Sequence, residues 1–273
     1  MSPRTARHPA QTEEATVPED SRHFVTALAR GLQVLQCFKS GEEKLGNQEL
    51  AARCKLPKST VSRLTFTLTT LGYLYHDAGT ARYRLGMAAL KLGGTTLSRL
   101  DAIEVSRPFM QALADRTDSV IALGMRDGMS MLYIETCRSA SLITVRLNIG
   151  SRIPIARTSM GRTYLAAAKP TARKSIEERL RNLDPTAWPA LEADIGRAVT
   201  ELGEYGCCSS FGDWQREINS IAAPLHLDKR LPMMILSSAG PSALMSSALY
   251  MDEIRPALLD TAREIEAEFH RRA

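Results

Sequence analysis

Between Lys58 and Thr70 the chain places Lys58, Ser59, Thr60, Ser62, Arg63 and Phe66 at spacings that keep them off the apolar stripe of one helix. Short hydroxyls and cations in that pattern suit nucleic acid, because a guanidinium such as Arg63 pairs with a guanine edge or a phosphate and small hydroxyls bond either. Phe66 could touch a thymine methyl or pack on a neighbouring helix. Arg82 and Arg84, two residues apart, share one strand face and so reach the sugar-phosphate backbone, which gives affinity without sequence information. Arg30, farther upstream, could contact a phosphate or a partner subunit.

A second set of residues is polar without being reactive. Ser159 and Gly161 stand where a loop feeds a helix, and Ser209, Ser210, Ser220, Ser237 and Ser238 fall at strand ends. Hydroxyls and backbone donors at a helix start can hold a small carboxylate without doing chemistry on it, or they can simply satisfy local backbone groups. The motifs GxSxG and HExxH, a Walker loop and a dinucleotide glycine fingerprint are all absent. Only His226 and His270 fall in this half, so a histidine-based metal site or triad is poorly supplied, and no cofactor or metal is expected. An enzyme carrying a winged helix, with Cys137, Cys207 or Ser237 as nucleophile, is the rival reading, and no general base is placed for it. A winged helix that docks on a protein partner is another, for which basic charge has no use.

These residues need elements to hold them. Asn47 to Cys54 reads as a short helix with Asn47 as its N-cap and Leu50 and Ala51 inward; Lys55-Leu56-Pro57 is a turn, since Pro57 lacks a donor. The helix Lys58 to Leu71 follows, with Val61, Leu64, Leu68 and Leu71 as its buried stripe and Gly72 after its end. Alternating residues around Asp77-Ala78-Gly79-Thr80-Ala81 then predict a hairpin, the wing of a winged helix-turn-helix. An earlier helix from Phe24 or Val25 to Phe38 repeats apolar residues at Val25, Leu28, Leu32, Leu35 and Phe38. Residues 86–101 predict a connector helix with Met87, Leu90, Leu97 and Leu100 on one side, interrupted at Gly93-Gly94.

From about Ala102 the pattern becomes mixed. A helix through Phe109 and Leu113 precedes strands at Ser119 to Met125, Ser130 to Thr136 and Leu142 to Leu147. Then come a loop from Gly150, helices at about Ser159, Thr171 to Arg181 and Trp188 to Tyr205, and strands at Cys207 to Phe211, Ile218 to Leu227 and Met233 to Ala239. A terminal helix spans Met251 to Arg271. The sum is an α+β fold with an antiparallel sheet flanked by helices.

The charge is unevenly spread. Residues 24–99 hold 11 Lys plus Arg against 4 Asp plus Glu, whereas residues 101–273 hold 21 against 22. The basic surplus falls on the helix-turn-helix half, the footprint of phosphate binding. No apolar run approaches the ~18 residues that span a bilayer, and the amino terminus lacks the apolar core of a secretory signal, so no membrane partner and a cytoplasmic location are expected. Residues 1–22, with three prolines and mixed charges, predict a disordered tail. The five cysteines lack CxxC spacing, and buried reduced thiols are expected.

Together these residues resemble the IclR family of bacterial transcriptional regulators. The resemblance rests on Phe24 to Leu35, Glu49-Leu50-Ala51, Leu56 to Leu64, Tyr83-Arg84-Leu85-Gly86, Gly150 to Ala166, Ser220-Ile221-Ala222-Ala223-Pro224 and Ser237 through Pro241. It implies a winged helix-turn-helix over 23–85, a linker helix over 86–101 and a GAF-like effector-binding and oligomerisation domain over 102–273. It further implies a homodimer or dimer of dimers on a double-stranded operator, controlled by a small organic or aromatic acid. Carried over, the effector site comprises Ser159, Met160, Gly161, Ser210, Trp214, Ser220 and Ser237. Ser220 stands where many members have Cys, Ala239 where many have a second Ser, and Ser210 where an acidic residue is frequent. The pocket is thereby less acidic. Trp214 lines it or sits in a subunit contact.

Overall fold

A computed structural model describes residues 24–38, 44–97, 101–140, 147–228 and 231–272, which fall into two compact units on either side of residue 100. The expected tail over 1–22 and the strand expected at Leu142 to Leu147 lie outside these residues, except for Leu147 itself.

The first unit runs α1 (Thr26–Gln36), β1 (Leu45–Gly46), α2 (Asn47–Cys54), α3 (Lys58–Thr70), β2 (Leu74–Asp77), β3 (Arg82–Leu85) and α4 (Met87–Leu97). Its three strands are antiparallel in the order β1-β3-β2, with Leu74 opposite Leu85 and Leu45 opposite Tyr83. Val34, Leu50, Val61, Leu68 and Leu74 form its core with Cys37 and Cys54, and full burial of each aliphatic chain contributes about 1.5–3 kcal/mol. The cap of α2 is Gly46 rather than Asn47: the Gly46 amide donates to Glu49 Oε2 at 2.7 Å, and Asn47 is the first helical residue. Lys55 adopts left-handed geometry (φ 54°) and ends α2, after which Pro57 starts α3.

Two apolar patterns differ from expectation. In α3 the stripe closes on Thr65, fully buried with its hydroxyl bonded to the Ser62 carbonyl, and Leu71 is 61% exposed. Leu71 lies beyond the last helical turn, where Gly72 (φ +76°) redirects the chain into the hairpin. In α1, Gly31 and Val34 face the core while Val25, Leu28 and Leu32 are at least half exposed, so the helix has two apolar faces and this unit covers only one. Likewise α4 continues through Gly93-Gly94 without a break, with Met87, Leu90 and Leu92 exposed. Gly86 is required where it stands: a Cβ there would meet the Gly72 carbonyl oxygen at 2.2 Å.

The second unit runs α5 (Asp101–Thr117), β4 (Val120–Asp127), β5 (Ser130–Arg138), β6 (Arg152–Pro154), α6 (Ser159–Ala167), α7 (Pro170–Leu183), α8 (Trp188–Tyr205), β7 (Cys208–Phe211), β8 (Ile218–Leu225) and β9 (Met234–Pro241). A turn at Ser247–Leu249 then passes through five π-helical residues into α9 (Arg255–Arg272). The six strands are antiparallel in the order β6-β5-β4-β9-β8-β7. Strand β6 forms within the stretch expected as loop; three residues carry too little pattern to announce it, and pairing with β5 holds it. Helices cover both sheet faces, so β9 is buried along nearly its whole length and its side chains divide by period two. Ser238 accordingly bonds Ser119 at 2.8 Å on the opposite face from Ser237. Strand β4 bulges at Leu123/Gly124, and Gly124 lets Met160 of α6 lie directly on the sheet.

Candidate functional site

In the first unit the outer face of α3 is open. Lys58, Ser59, Ser62, Arg63 and Phe66 are exposed and Thr60 is half-buried. Phe66 is 73% exposed within its own unit. Arg63 makes no ion pair among the described residues. Ser62 is more committed than expected: its hydroxyl donates to the Lys58 carbonyl at 3.0 Å and accepts from Asn47 Nδ2 at 2.6 Å, which ties α2 to α3.

The two wing arginines differ. Arg84 lies 4.4 Å from the Tyr75 ring centroid with its guanidinium stacked on the ring and still solvent-facing. Arg82 turns inward, donating to the Lys44 carbonyl at 3.0 Å and pairing with Glu49 at 3.3 Å, so it braces the wing against α2. The wing turn is organised by Asp77, which binds Lys44 and accepts from the Gly79 amide; Lys44 above all holds its carboxyl down to about 2. Arg30 is exposed on α1, a separate helix.

In the second unit Ser159, Met160, Trp214, Ser220 and Ser237 converge on one small cavity. Tyr133, Leu147, Ile153, Thr158, Ile218 and Ala239 also line it among the described residues, and of these six only Ala239 was expected at the pocket, as a departure from the family pattern. Thr158 caps α6: its hydroxyl accepts from the Gly161 amide at 3.2 Å and donates to the Pro154 carbonyl at 2.8 Å. The leading amides of a helix have no intrahelical acceptor, so those of Ser159 and Met160 remain at the cavity end. Ser159 donates to Ser220 at 2.9 Å, and Ser237 bonds the Tyr133 hydroxyl, whose pKa burial pushes up. Among the described residues the polar equipment is therefore neutral: hydroxyls, amides and no charged side chain.

Two expected contacts do not line the cavity. Gly161 faces the preceding loop, where a Cβ would meet the Ile155 carbonyl oxygen at 1.9 Å, so it is a packing residue. Ser210 donates to the Arg157 carbonyl at 3.1 Å and offers only its own carbonyl, at 3.5 Å, to Ser220. Beside the cavity lies Arg162, 8% exposed and paired with Asp194 at 2.9 Å and Asp213 at 2.6 Å. That pair anchors the segment bearing Trp214, a role no motif announced; the only sequence cue was the adjacent Asp213-Trp214. The free volume is about 20 Å³, one water's worth. A ring-sized ligand requires the wall to move, and Leu147, Trp214, Ile218 and Ser220 are its half-buried members.

The rival nucleophiles are unsupported. Burial pushes the Cys137 thiol up to about 11 and that of Cys207 to about 12, the wrong direction for a thiolate. Ser237 has Tyr133 and the Ala122 carbonyl as partners and no base among the described residues.

Comparison with known proteins agrees with this geometry. Residues 27–78 match the model of the IclR helix-turn-helix domain, and residues 94–267 match that of the bacterial transcriptional regulator IclR C-terminal domain. The HTH-type transcriptional regulator TsaQ1/TsaQ2 of Comamonas testosteroni is 33% identical over 252 residues, 92% of this chain and 90% of its own. The crystal structure of an IclR family transcriptional regulator from Brucella abortus superposes with a TM-score of 0.81 at 41% identity, covering 93% of this chain and 96% of that one. An IclR homologue from Microbacterium hydrocarbonoxydans complexed with 4-hydroxybenzoate has the same fold, with a TM-score of 0.72 at 21% identity and coverage of 90% and 100%.

Proposed function

Because the chain belongs to the IclR family of bacterial transcriptional regulators, we propose that it reads an operator with the outer face of α3 and that an aromatic or other organic acid in the α6 cavity sets its affinity. The observation that carries this reading is the open polar face of α3, set in a half of the chain with a strong basic surplus, while the other half is nearly neutral. Lys58, Ser59, Thr60, Arg63 and Phe66 face the bases and nearby phosphates, and Arg84 and Arg30 add backbone contacts. Arg82 and Ser62 shape that surface.

Residues 23–85 serve as the DNA-binding domain, 86–101 as the connector and 102–273 as the effector and oligomerisation domain. A carboxylate fits the free amides of Ser159 and Met160 with the Ser159 and Ser220 hydroxyls, since a helix start favours negative charge. Met160, Ile153, Ile218 and Trp214 suit a ring, and the 4-hydroxybenzoate bound by the Microbacterium homologue belongs to that class. Because the cavity must widen to admit a ring, the acid selects one wall arrangement over another, which is the differential binding that control of DNA affinity needs. The exposed apolar residues of α1 and α4 support a homodimer or dimer of dimers on a near-palindromic site. The duplex it reads places it in the cytoplasm.

Fluorescence anisotropy with genomic fragments, in the presence and absence of a panel of aromatic and aliphatic acids, tests the proposal. One acid should shift the midpoint at least fivefold. Arg63→Ala should cost about 1–3 kcal/mol on the preferred fragment, and Arg84→Ala should weaken all fragments alike. Binding that ignores both substitutions would remove α3 and the wing from the interface.

A further inference from the structure

Two of the five cysteines meet inside the winged helix. Cys37 caps α1 and Cys54 closes α2, and their Sγ atoms stand 3.2 Å apart within one small core. The helix ends that carry them are cross-tied: Gln33 Nε2 donates to the Cys54 carbonyl at 3.3 Å and Arg53 Nη1 to the Cys37 carbonyl at 2.8 Å. A disulfide needs its sulfurs about 2.05 Å apart, so a shift of about 1 Å suffices. No other side chain completes a metal set there among the described residues. The remaining thiols are placed differently. Cys207 and Cys208 are adjacent on the chain, Cys208 donates to the Ala198 carbonyl, and Cys137 lies beside the Arg107 carbonyl.

We propose that Cys37 and Cys54 form a redox modification site, in which a hydroperoxide converts the dithiol to an intramolecular disulfide that clips α1 to α2. Cys37, the more exposed of the two, attacks one oxygen of hydrogen peroxide as its thiolate. The O–O bond breaks, Cys37 becomes a sulfenic acid, and the released hydroxide takes up the thiol proton as water. Cys54 Sγ then attacks the sulfenic sulfur; the S–S bond forms, the S–O bond breaks, and a second water leaves with the Cys54 proton. Two thiols thus lose two electrons and two protons, and the peroxide is reduced to two waters. Contact with Cys37 and burial both push the Cys54 thiol up, which leaves the first attack to Cys37 and makes the reaction slow compared with that of a surface thiol. In a reducing compartment the dithiol is the resting form, and the bond appears under sustained oxidation. Closing a loop that contains α2 restricts the unfolded chain, so the clip strengthens the fold of this unit.

The full-length chain is treated with hydrogen peroxide, quenched, alkylated in denaturant and digested with trypsin. Peptide 31–39 should be found joined to peptide 54–55, with three of the five thiols alkylated and the intact mass lower by two hydrogens. Deuterium exchange at the amides of α1 and α2 should slow on oxidation and recover with dithiothreitol. Cys37→Ser and Cys54→Ser should each abolish the link, while the wild-type peptide map alone decides the matter if either variant fails to fold. The proposal is overturned by full alkylation of both thiols at peroxide exposures that oxidise glutathione. Linkage to Cys137, Cys207, Cys208 or a second chain would also overturn it, as would a bond that leaves exchange unchanged.

Discussion

Asp77 is a half-buried carboxylate whose neighbours give it structural weight. It binds Lys44, which precedes β1, and caps its own turn at Gly79, and these bonds hold its pKa near 2 rather than the ordinary 3.8. A depressed folded-state pKa means that the contribution to stability is present above about pH 4 and is lost as the pH falls toward about 2. The thermal midpoint of the wild type should therefore fall across that window more than that of Asp77→Asn. Parallel melting curves of the two proteins would show that the wing turn does not depend on this charge. Asp77 was legible in the sequence only as part of a turn, because its partner Lys44 lies far along the chain and no local spacing links them. The same holds for Arg162, whose partners Asp194 and Asp213 are brought together by the fold. By contrast Lys58, Ser59, Arg63 and Phe66 could be placed outward from sequence alone, since one helix and its period decide their direction.

At the level of elements, α6 turns a loop into half of the cavity, and its cap is the critical bond. Thr158 is buried and its hydroxyl serves both the Gly161 amide and the Pro154 carbonyl, so Thr158→Ala leaves two polar groups without a partner. Loss of such a cap costs about 1–2 kcal/mol, and the displaced helix start should also abolish the thermal shift given by a bound acid. Thr158→Ser should restore both. A variant that is less stable but keeps the full ligand shift would separate the cap from the cavity. The sequence places the start of α6 within a residue, and the family resemblance supplies five of the eleven described wall residues, Ser220 and Ser237 among them lying within strands rather than at their ends. Sequence reasoning missed Tyr133 and Ile153 because a buried strand residue carries no sign of which sheet face holds a cavity. It missed β1 and β6 because two or three residues have no period to read.

For the whole molecule the telling feature is apolar surface left uncovered. Val25, Leu28 and Leu32 stand at helical spacing and read as part of one apolar stripe, yet within this unit Gly31 and Val34 are buried and these three are exposed. A second copy covering that face is the arrangement a two-half-site operator needs, so affinity and assembly should fall together. Leu28→Glu combined with Leu32→Glu removes apolar groups from positions already 63% and 50% exposed, and the fold of the unit should change in stability by no more than about 0.5 kcal/mol. Light scattering after size exclusion should show the assembly reduced by half, with circular dichroism unchanged and DNA binding weakened and no longer cooperative between half-sites. An assembly of wild-type mass in that double variant would locate the interface elsewhere and leave the apolar face of α1 without this role.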